Sequence, residues 1–219
     1  DGGMEYPMAT LITGERSLSS LVGVSVHELM HSWYQMMMGT NESLYAWMDE
    51  GFTSYASNEV MNFLRGEGLI PGEEQVNPQA GNVRRYVNFS QSGLEEPLSV
   101  HSDHFNTNAA YGVAAYTKGS VFLTQLSYII GQEHFDQGML NYYYTWRFKH
   151  PNANDFIRVM EKQSGLELDW YKEYFIYTTR TIDYSLNEVA DTGDVKTLVE
   201  QRSLEMGHAR ALLALSGKE

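Results

Sequence analysis

Two histidines and a glutamate stand at spacings that suit a catalytic zinc ion. His27 and His31 are four residues apart in the segment HELMH, so a helix places both imidazoles on one face, within reach of one ion. Glu50 follows after 18 intervening residues, enough for a loop and the start of a second helix. Two His ligands and one Glu leave the fourth position of a tetrahedral zinc ion for water, as in catalytic sites. The sequence therefore predicts one zinc ion per chain.

Glu28 is the candidate general base of this site. On a helical wheel that advances about 100° per residue, Glu28 lies beside both histidines and away from the apolar positions. A carboxylate there can take a proton from a zinc-activated water and later deliver it to a leaving amine. The alternative interpretation is a chance match to the motif.

Helices must position these residues. Apolar residues recur every three or four positions from Leu18 to Met38, which predicts one helix whose apolar stripe packs into a core. A second helix, predicted from about Trp47 to Leu64, carries Glu50 near its start. The stripe of the first helix comprises Val22, Val26, Leu29, Met30, Trp33 and Met37.

The remaining pattern is typical of a mainly helical α+β fold. Helical periodicity returns over 118–130, 133–149 and 154–164. Residues 67–110 lack periodicity and predict short helices and turns or a functional loop. The segment from Met4 to Ile12 is typical of one extended strand.

Composition excludes several classes of protein. The chain has 15 Lys and Arg against 28 Asp and Glu, a net charge of −13, so we expect no nucleic-acid partner. The absence of cysteine excludes disulfide scaffolds, thiolate zinc sites and cysteine nucleophiles. No apolar run approaches the roughly 18 residues of a membrane span. The compartment stays open, because the chain begins at Asp1 without a leader and is interpreted as an excerpt of a longer protein.

Three motifs in one order resemble the gluzincin aminopeptidases, the family that includes aminopeptidase N and the leukotriene hydrolase. The motifs are GGMEY at residues 2–6, HELMH at 27–31 followed by WMDEGF at 47–52, and YTKG at 116–119. The resemblance extends from residue 2 to about 185. It implies that His27, His31 and Glu50 bind zinc and that Glu28 is the general base.

The resemblance also implies a domain organisation. Residues 1–181 would form a thermolysin-like zinc peptidase domain, with a helical lobe over 17–181 and the remnant of a β-rich lobe over 2–13. Residues 182–219 would begin a following β-domain or form an appended tail. Other domains of the same polypeptide, before and after this one, would pack on it.

The resemblance also assigns roles to Tyr116 and to the N-terminal motif at residues 2–6. Tyr116 would donate a hydrogen bond to the oxyanion of the reaction, with Tyr111 as the less favoured tyrosine. Glu5 would pair with the free α-ammonium of a peptide. The adjoining residues would let the substrate backbone approach as an added strand; they are Gly2, Gly3 and Met4.

Three positions depart from the family pattern, and two histidines lie outside it. Tyr6 stands where the motif has Asn, Asp49 where the family usually has Asn, and Ser57 where it often has Glu. The groups that orient the zinc-binding histidines are therefore expected to differ here. His101 and His104 lack a third ligand, so we interpret them as solvated or capping histidines.

The function implied is that of a zinc-dependent metalloaminopeptidase, which removes N-terminal residues from peptides with a free amino terminus. Two alternatives stay open. One is a zinc endopeptidase of the thermolysin type, in which Glu5 has no role. The other is a non-catalytic scaffold that retains the fold, although such a protein has no need to keep both Glu28 and Tyr116.

Overall fold

The computed structural model describes residues 2–180 of the 219-residue chain. The β-domain or tail predicted for 182–219 lies outside the described residues. Over residues 2–180 the fold is mostly helical, as the sequence predicts. None of the helices described there has the length and apolarity needed to span a bilayer.

Helices and short helical turns account for nearly all the regular structure. The α-helices described are α1 (Leu18–Met30), α2 (Phe52–Gly66), α3 (Ala80–Ser90), α4 (Asn108–Gly112), α5 (Gly119–Ile130), α6 (Gln132–Trp146), α7 (Ala153–Ser164) and α8 (Asp169–Tyr177). Single turns of other geometry are a wide turn at Ser32–Met37, the Glu50 turn (Trp47–Gly51), the Tyr116 turn (Val113–Lys118) and a tight turn at Ser102–His104. The wide turns have π-helical hydrogen bonding, which often occurs at functional sites.

The N-terminal segment is a hairpin, so the prediction of one continuous strand was wrong. Strand β1 (Gly3–Met4) pairs antiparallel with β2 (Leu11–Ile12). The chain reverses at Pro7, which occupies the second position of a turn closed by the Ala9 amide donating to the Tyr6 carbonyl at 3.0 Å. Met8 follows Pro7 with a φ of 63°, the geometry of a type II turn, so the turn interrupts the predicted strand.

The first helix is shorter than its apolar period predicts. α1 ends at Met30, and the backbone leaves helical geometry at Tyr34 (ψ 119°) and Gln35 (φ 89°). The prediction of a single helix through Met38 was therefore wrong. The spacing of apolar side chains does not reveal such a break, because the change lies in the backbone angles of Tyr34 and Gln35.

The predicted apolar stripe of α1 is not its buried side. Leu29 and Trp33 are 57% and 39% exposed, whereas Glu28 and His31 are 6% and 1% exposed. The polar side turns inward because the neighbouring Glu50 turn offers it buried partners, which polar groups need when they leave water. The expectation of a core-facing stripe is thus corrected, with Val26 as its buried member.

Three of the helices described were not predicted individually. α3 lies inside the segment 67–110, the short α4 begins near its end, and α8 follows α7 after a short connection. α3 has no buried residue. Its residues Val83, Tyr86 and Val87 do follow helical spacing, but this short pattern stands in a polar segment and was missed.

Aromatic side chains of the core pack against both ends of the Glu50 turn. Trp47 and Phe52, at either end of the turn, are 0% and 1% exposed. The Trp47 ring lies 5.0 Å from that of Phe122 on α5, and the Phe52 ring lies 4.9 Å from that of Phe156 on α7. Large buried aromatic side chains contribute several kcal/mol each, about 3–5 when truncated to Ala. The residue between them, Glu50, is therefore held on a rigid base.

Two glycines bring the Glu50 turn and the Tyr116 turn into backbone contact. A Cβ atom on Gly51 would lie 2.7 Å from the Cα atom of Gly119, and a Cβ atom on Gly119 would lie 2.8 Å from the Cα atom of Gly51. Carbon atoms in van der Waals contact are about 3.5–4.0 Å apart, so any side chain at either position would separate the turns. The two glycines therefore set the distance between Glu50 and Tyr116.

Candidate metal centre and active site

One cleft of about 820 Å³ collects most of the predicted site residues. It opens between the N-terminal hairpin, α1, the Glu50 turn and the Tyr116 turn. The predicted residues that line it are Gly2, Gly3, Met4, Glu5, His27, Glu28, Glu50 and Tyr116. His31 lies beneath the cleft surface, 1% exposed.

The three predicted metal ligands form a nearly equilateral triangle of donor atoms. His27 Nε2 lies 3.1 Å from Glu50 Oε2, and His31 Nε2 lies 3.3 Å from the same oxygen. The two Nε2 atoms are 3.2 Å apart. His27 on α1 and His31, which caps the end of α1, stand one helical turn apart, and the Glu50 turn brings the carboxylate to them.

This triangle fits a zinc ion. Ligands at about 2.0–2.1 Å in tetrahedral geometry are separated by roughly 3.3 Å, close to the distances observed. The donor set, two imidazole nitrogens and one carboxylate oxygen, is one that zinc prefers. The three atoms therefore match one another in chemistry and in spacing, as a single cation requires.

Asp49 is the partner that orients His31. Its Oδ1 atom lies 2.7 Å from Nδ1 of His31, and both side chains are almost fully buried. Thr53 Oγ1, on α2, lies 3.3 Å from the same nitrogen. Burial by itself lowers the pKa of His31, but hydrogen bonds to Asp49 and Glu50 raise that pKa to about 10. A metal ion bound at Nε2 would take the place of a proton held by these carboxylates.

Tyr116 contacts the ligand triangle directly. Its hydroxyl donates to Oε1 of Glu50 at 2.5 Å, and its ring stacks on that of His27 with centroids 6.0 Å apart. Burial by itself raises the pKa of Glu50, but hydrogen bonds from His27, His31 and Tyr116 lower it to about 2. Glu50 therefore stays ionised, as a metal ligand must.

Tyr111 also lines the cleft but stands farther from the triangle. Its ring lies 6.5 Å from that of Tyr116. Burial raises the pKa of the Tyr111 hydroxyl to about 12. Of the two tyrosines, Tyr116 is the one whose hydroxyl bonds to a predicted metal ligand, in agreement with the motif.

Glu28 is held against the N-terminal hairpin. A Cβ atom on Gly3 would lie 2.7 Å from Cδ of Glu28, so the carboxylate occupies the space that a side chain on residue 3 would fill. Glu28 is 6% exposed, and its Oε2 atom has no hydrogen-bond partner among residues 2–180. Burial raises the pKa of this carboxyl, although the charges of His27 and His31 oppose the rise. A raised pKa suits a group that must accept a proton near neutrality.

Glu5 marks an acidic end of the cleft. It is 7% exposed, and it forms no hydrogen bond or ion pair within the described part of the chain. Carboxylate oxygens of Glu5, Glu42 and Asp49 lie within 4.8 Å of one another. Such a concentration of negative charge attracts a cation such as an ammonium group. Glu42, in the loop before the Glu50 turn, was not singled out because nothing in its sequence context marks it.

The remaining candidates have local partners. Ser57 donates to the Thr53 carbonyl at 2.6 Å within α2, and Tyr6 is 59% exposed at the rim of the cleft. His101 Nδ1 accepts from the Asp103 amide at 3.2 Å, so this histidine caps the tight turn after it. The ring of His104 lies 4.9 Å from that of His101.

A family model described as "Peptidase family M1 domain" matches residues 7–175. Aminopeptidase B of Homo sapiens is 28% identical over 184 residues, which cover 80% of this chain and 26% of that protein. Leucine aminopeptidase 2-1 of Meyerozyma guilliermondii is 30% identical over 170 residues, which cover 71% and 26%. The chain thus spans about a quarter of the length of these curated relatives.

Solved structures share the fold. A variant of the M1 zinc metallopeptidase from Deinococcus radiodurans, bound to a Tyr-Ser-Ala substrate, superposes with a TM-score of 0.62 at 18% identity, over 84% of this chain and 38% of that one. Native yeast LTA4 hydrolase superposes with a TM-score of 0.57 at 18% identity, over 92% and 33%. At these identities the likeness establishes a common helical architecture.

Proposed function

The chain belongs to peptidase family M1, and on that premise we propose that its cleft holds one zinc ion and removes N-terminal residues from peptides. The observation that carries this proposal is the triangle of His27, His31 and Glu50 donor atoms, 3.1–3.3 Å apart. Beside it lies the buried carboxylate of Glu28, whose Oε2 atom has no hydrogen-bond partner in the part of the chain that the structure describes. This arrangement would bring the metal ligands and the base together at one cleft.

Each protein group has a defined task in the proposed reaction. When bound, zinc would polarise the scissile carbonyl and lower the pKa of a water to about 7. Glu28 accepts the proton of the attacking water and delivers it to the leaving amine. Tyr116 turns its hydroxyl from Glu50 to the oxygen that gains negative charge, a contact typically worth about 2.7–4 kcal/mol in the transition state.

The acidic end of the cleft favours an exopeptidase. A buried carboxylate such as Glu5, which has no hydrogen bond or ion pair among residues 2–180, is stabilised when it meets an α-ammonium group. An endopeptidase substrate has an uncharged amide at that point and would leave Glu5 unpaired. Strand β1 has one neighbouring strand among the described residues, β2, so its other edge can pair with a peptide lying in the cleft.

We also propose that residues 1–181 are a thermolysin-like catalytic domain, in which the hairpin is the remnant of a β-rich lobe. The helical lobe with its metal-binding helix supports this proposal. Further domains of the same polypeptide would pack on this one. Two exposed apolar side chains, Leu29 on α1 and Trp33 in the wide turn that follows it, provide surface for such packing.

The test compares free and N-acetylated peptides as substrates of the zinc-loaded full-length protein. Release of single N-terminal residues from free peptides, with acetylated peptides left intact, would support the proposal. Equal cleavage of both would favour the endopeptidase. A protein that binds zinc in a 1:1 ratio and cleaves neither would be the scaffold.

A further inference from the structure

We propose that Lys118 is a positioning residue for Tyr116. Lys118 anchors the Tyr116 turn on the side away from the cleft, and this turn presents the tyrosine hydroxyl to the proposed metal ligands. The inference rests on the proposed peptidase function, because it concerns the residue that would stabilise the oxyanion.

Lys118 is a buried cation with partners from three separate segments. The residue is 1% exposed, and its Nζ atom lies 2.6 Å from Oε1 of Glu95. Nζ also donates to the carbonyl of Thr178, after α8, at 3.3 Å. The rings of Tyr86 on α3 and Phe175 on α8 each lie with their centroid 5.7 Å from Nζ. The ammonium group is therefore surrounded by a carboxylate, a backbone carbonyl and the faces of two aromatic rings.

The carboxylate that receives Lys118 is itself held in place. The Tyr86 hydroxyl donates to Oε1 of Glu95 at 3.1 Å, and the Glu95 side chain is 7% exposed. A buried carboxylate with two donors has little freedom to move. Lys118 is thus tied to a fixed point rather than to a mobile surface group.

Lys118 and Tyr116 extend from the same turn toward opposite sides. Residues two apart on a helical turn point in roughly opposite directions. Tyr116 reaches Glu50 in the cleft, while Lys118 reaches Glu95 on the far side. Rotation of the turn about its axis would swing both side chains sideways together, so the Lys118 contacts resist rotation that would move the tyrosine.

A second contact, on the side of the Tyr116 turn that faces Glu50, links the position of this turn to the geometry of the site. Gly119, next to Lys118, is in backbone contact with Gly51, which follows Glu50. Displacement of the turn therefore changes the separation of Tyr116 and Glu50 directly. Small misplacements of a catalytic group, about 1 Å, can lower a rate 100-fold.

A buried ion pair adds little to the free energy of unfolding, because burying its charges has a large cost. Taking a charge out of water carries a penalty that an apolar side chain of similar size avoids. A directional charge pair does fix one geometry, because its energy depends on distance and alignment. That property matches a requirement to hold Tyr116 in one orientation.

The experiment measures Lys118→Met in the zinc-loaded full-length protein, alone and combined with Tyr116→Phe. We expect the single variant to lower kcat about 10-fold or more, with KM and zinc content little changed. In the Tyr116→Phe background the same substitution should lower kcat no further, because the hydroxyl that it would misplace is already absent. Lys172→Met is the matched control. It removes a Lys–carboxylate pair of the same 2.6 Å length on α8, where the partner Asp169 is 67% exposed, and should leave kcat unchanged.

A second readout does not depend on turnover. With ¹³C-labelled tyrosine, the Tyr116 resonance, assigned by its loss in Tyr116→Phe, should shift in Lys118→Met and not in Lys172→Met. A shift in a protein without peptidase activity would support positioning while the proposed function failed. Glu95→Gln weakens the same tether with a smaller change in volume and should move the resonance in the same way, which covers a Lys118 variant that does not fold.

Three results would overturn the inference. One is a lower melting temperature for Lys118→Met with kcat and the Tyr116 resonance both unchanged, the result expected of a purely stabilising pair. The second is an equal fall in kcat in the parent and Tyr116→Phe backgrounds. The third is an unchanged resonance in Glu95→Gln.

Discussion

The Oδ1 atom of Asp49 lies 2.7 Å from Nδ1 of His31, in a contact that is almost fully buried on both sides. A carboxylate at Nδ1 keeps a proton on that nitrogen and leaves the lone pair of Nε2 free. Nε2 is the atom that faces His27 and Glu50 at 3.2 and 3.3 Å. Asp49 and Glu50, adjacent in sequence, therefore act on opposite nitrogens of one imidazole.

Substitution of Asp49 should weaken zinc binding without removing a ligand. We expect Asp49→Ala to lower zinc affinity about 10- to 100-fold, the usual cost of losing a group that orients a ligand. Asp49→Asn keeps an oxygen acceptor at the same place and should lose less. Competition with a chromophoric chelator measures both affinities, and parental affinity in Asp49→Ala would show that Thr53 alone suffices to orient His31.

Substitution of the ligands themselves should abolish the site. His27→Ala, His31→Ala and Glu50→Ala each remove one corner of the donor triangle, and two protein ligands are fewer than a catalytic zinc site uses. Metal analysis after dialysis should find one zinc per chain in the parent and none in each variant. Full occupancy in all three variants would place the metal elsewhere.

Glu28→Gln separates catalysis from metal binding. The amide fills nearly the same volume but cannot accept a proton, so zinc content should stay at one per chain while kcat falls at least 100-fold. Steady-state kinetics on a free peptide and metal analysis of the same sample provide the two measurements. Near-parental kcat would mean that another group serves as the base.

Gly3→Ala tests the contact between the hairpin and Glu28. The new Cβ atom would overlap the carboxylate, with 2.7 Å to its Cδ atom, and should displace the base. We expect kcat to fall about 10- to 100-fold with zinc retained. Gly14→Ala, just after the hairpin, is the control, since a Cβ atom there meets nothing within 4 Å. Equal effects of the two substitutions would point to general loosening of the hairpin.

Glu5→Ala tests the recognition of the amino terminus. Loss of a charge-assisted hydrogen bond, worth about 1.5–3 kcal/mol, should weaken hydrolysis of free-amine peptides roughly 10- to 100-fold in kcat/KM. N-acetylated peptides, already poor substrates, should lose nothing more. Glu42→Gln, an exposed member of the same acidic cluster, should have a smaller effect. Unchanged rates for both peptide types in Glu5→Ala would leave that carboxylate without a role in binding.

Sequence alone was enough to identify the family and to place His27 and His31 side by side. The resemblance drawn from three short motifs is confirmed by the match to family M1 over residues 7–175. His27 and His31 could be paired because an i, i+4 spacing on a helix determines which side chains share a face. The shared face of two helical residues depends only on the few residues between them, so it can be predicted without knowledge of the rest of the fold.

Tertiary structure decided which side of α1 is buried and what surrounds each site residue. The apolar period placed Leu29 and Trp33 inside, yet both are exposed, since the buried ion pair of His31 with Asp49 turns the polar side inward. Contacts such as Gly51 with Gly119 join residues 68 positions apart and leave no periodic trace. Hydrophobic patterns report the average environment of a segment, whereas the partners of one polar atom depend on long-range packing.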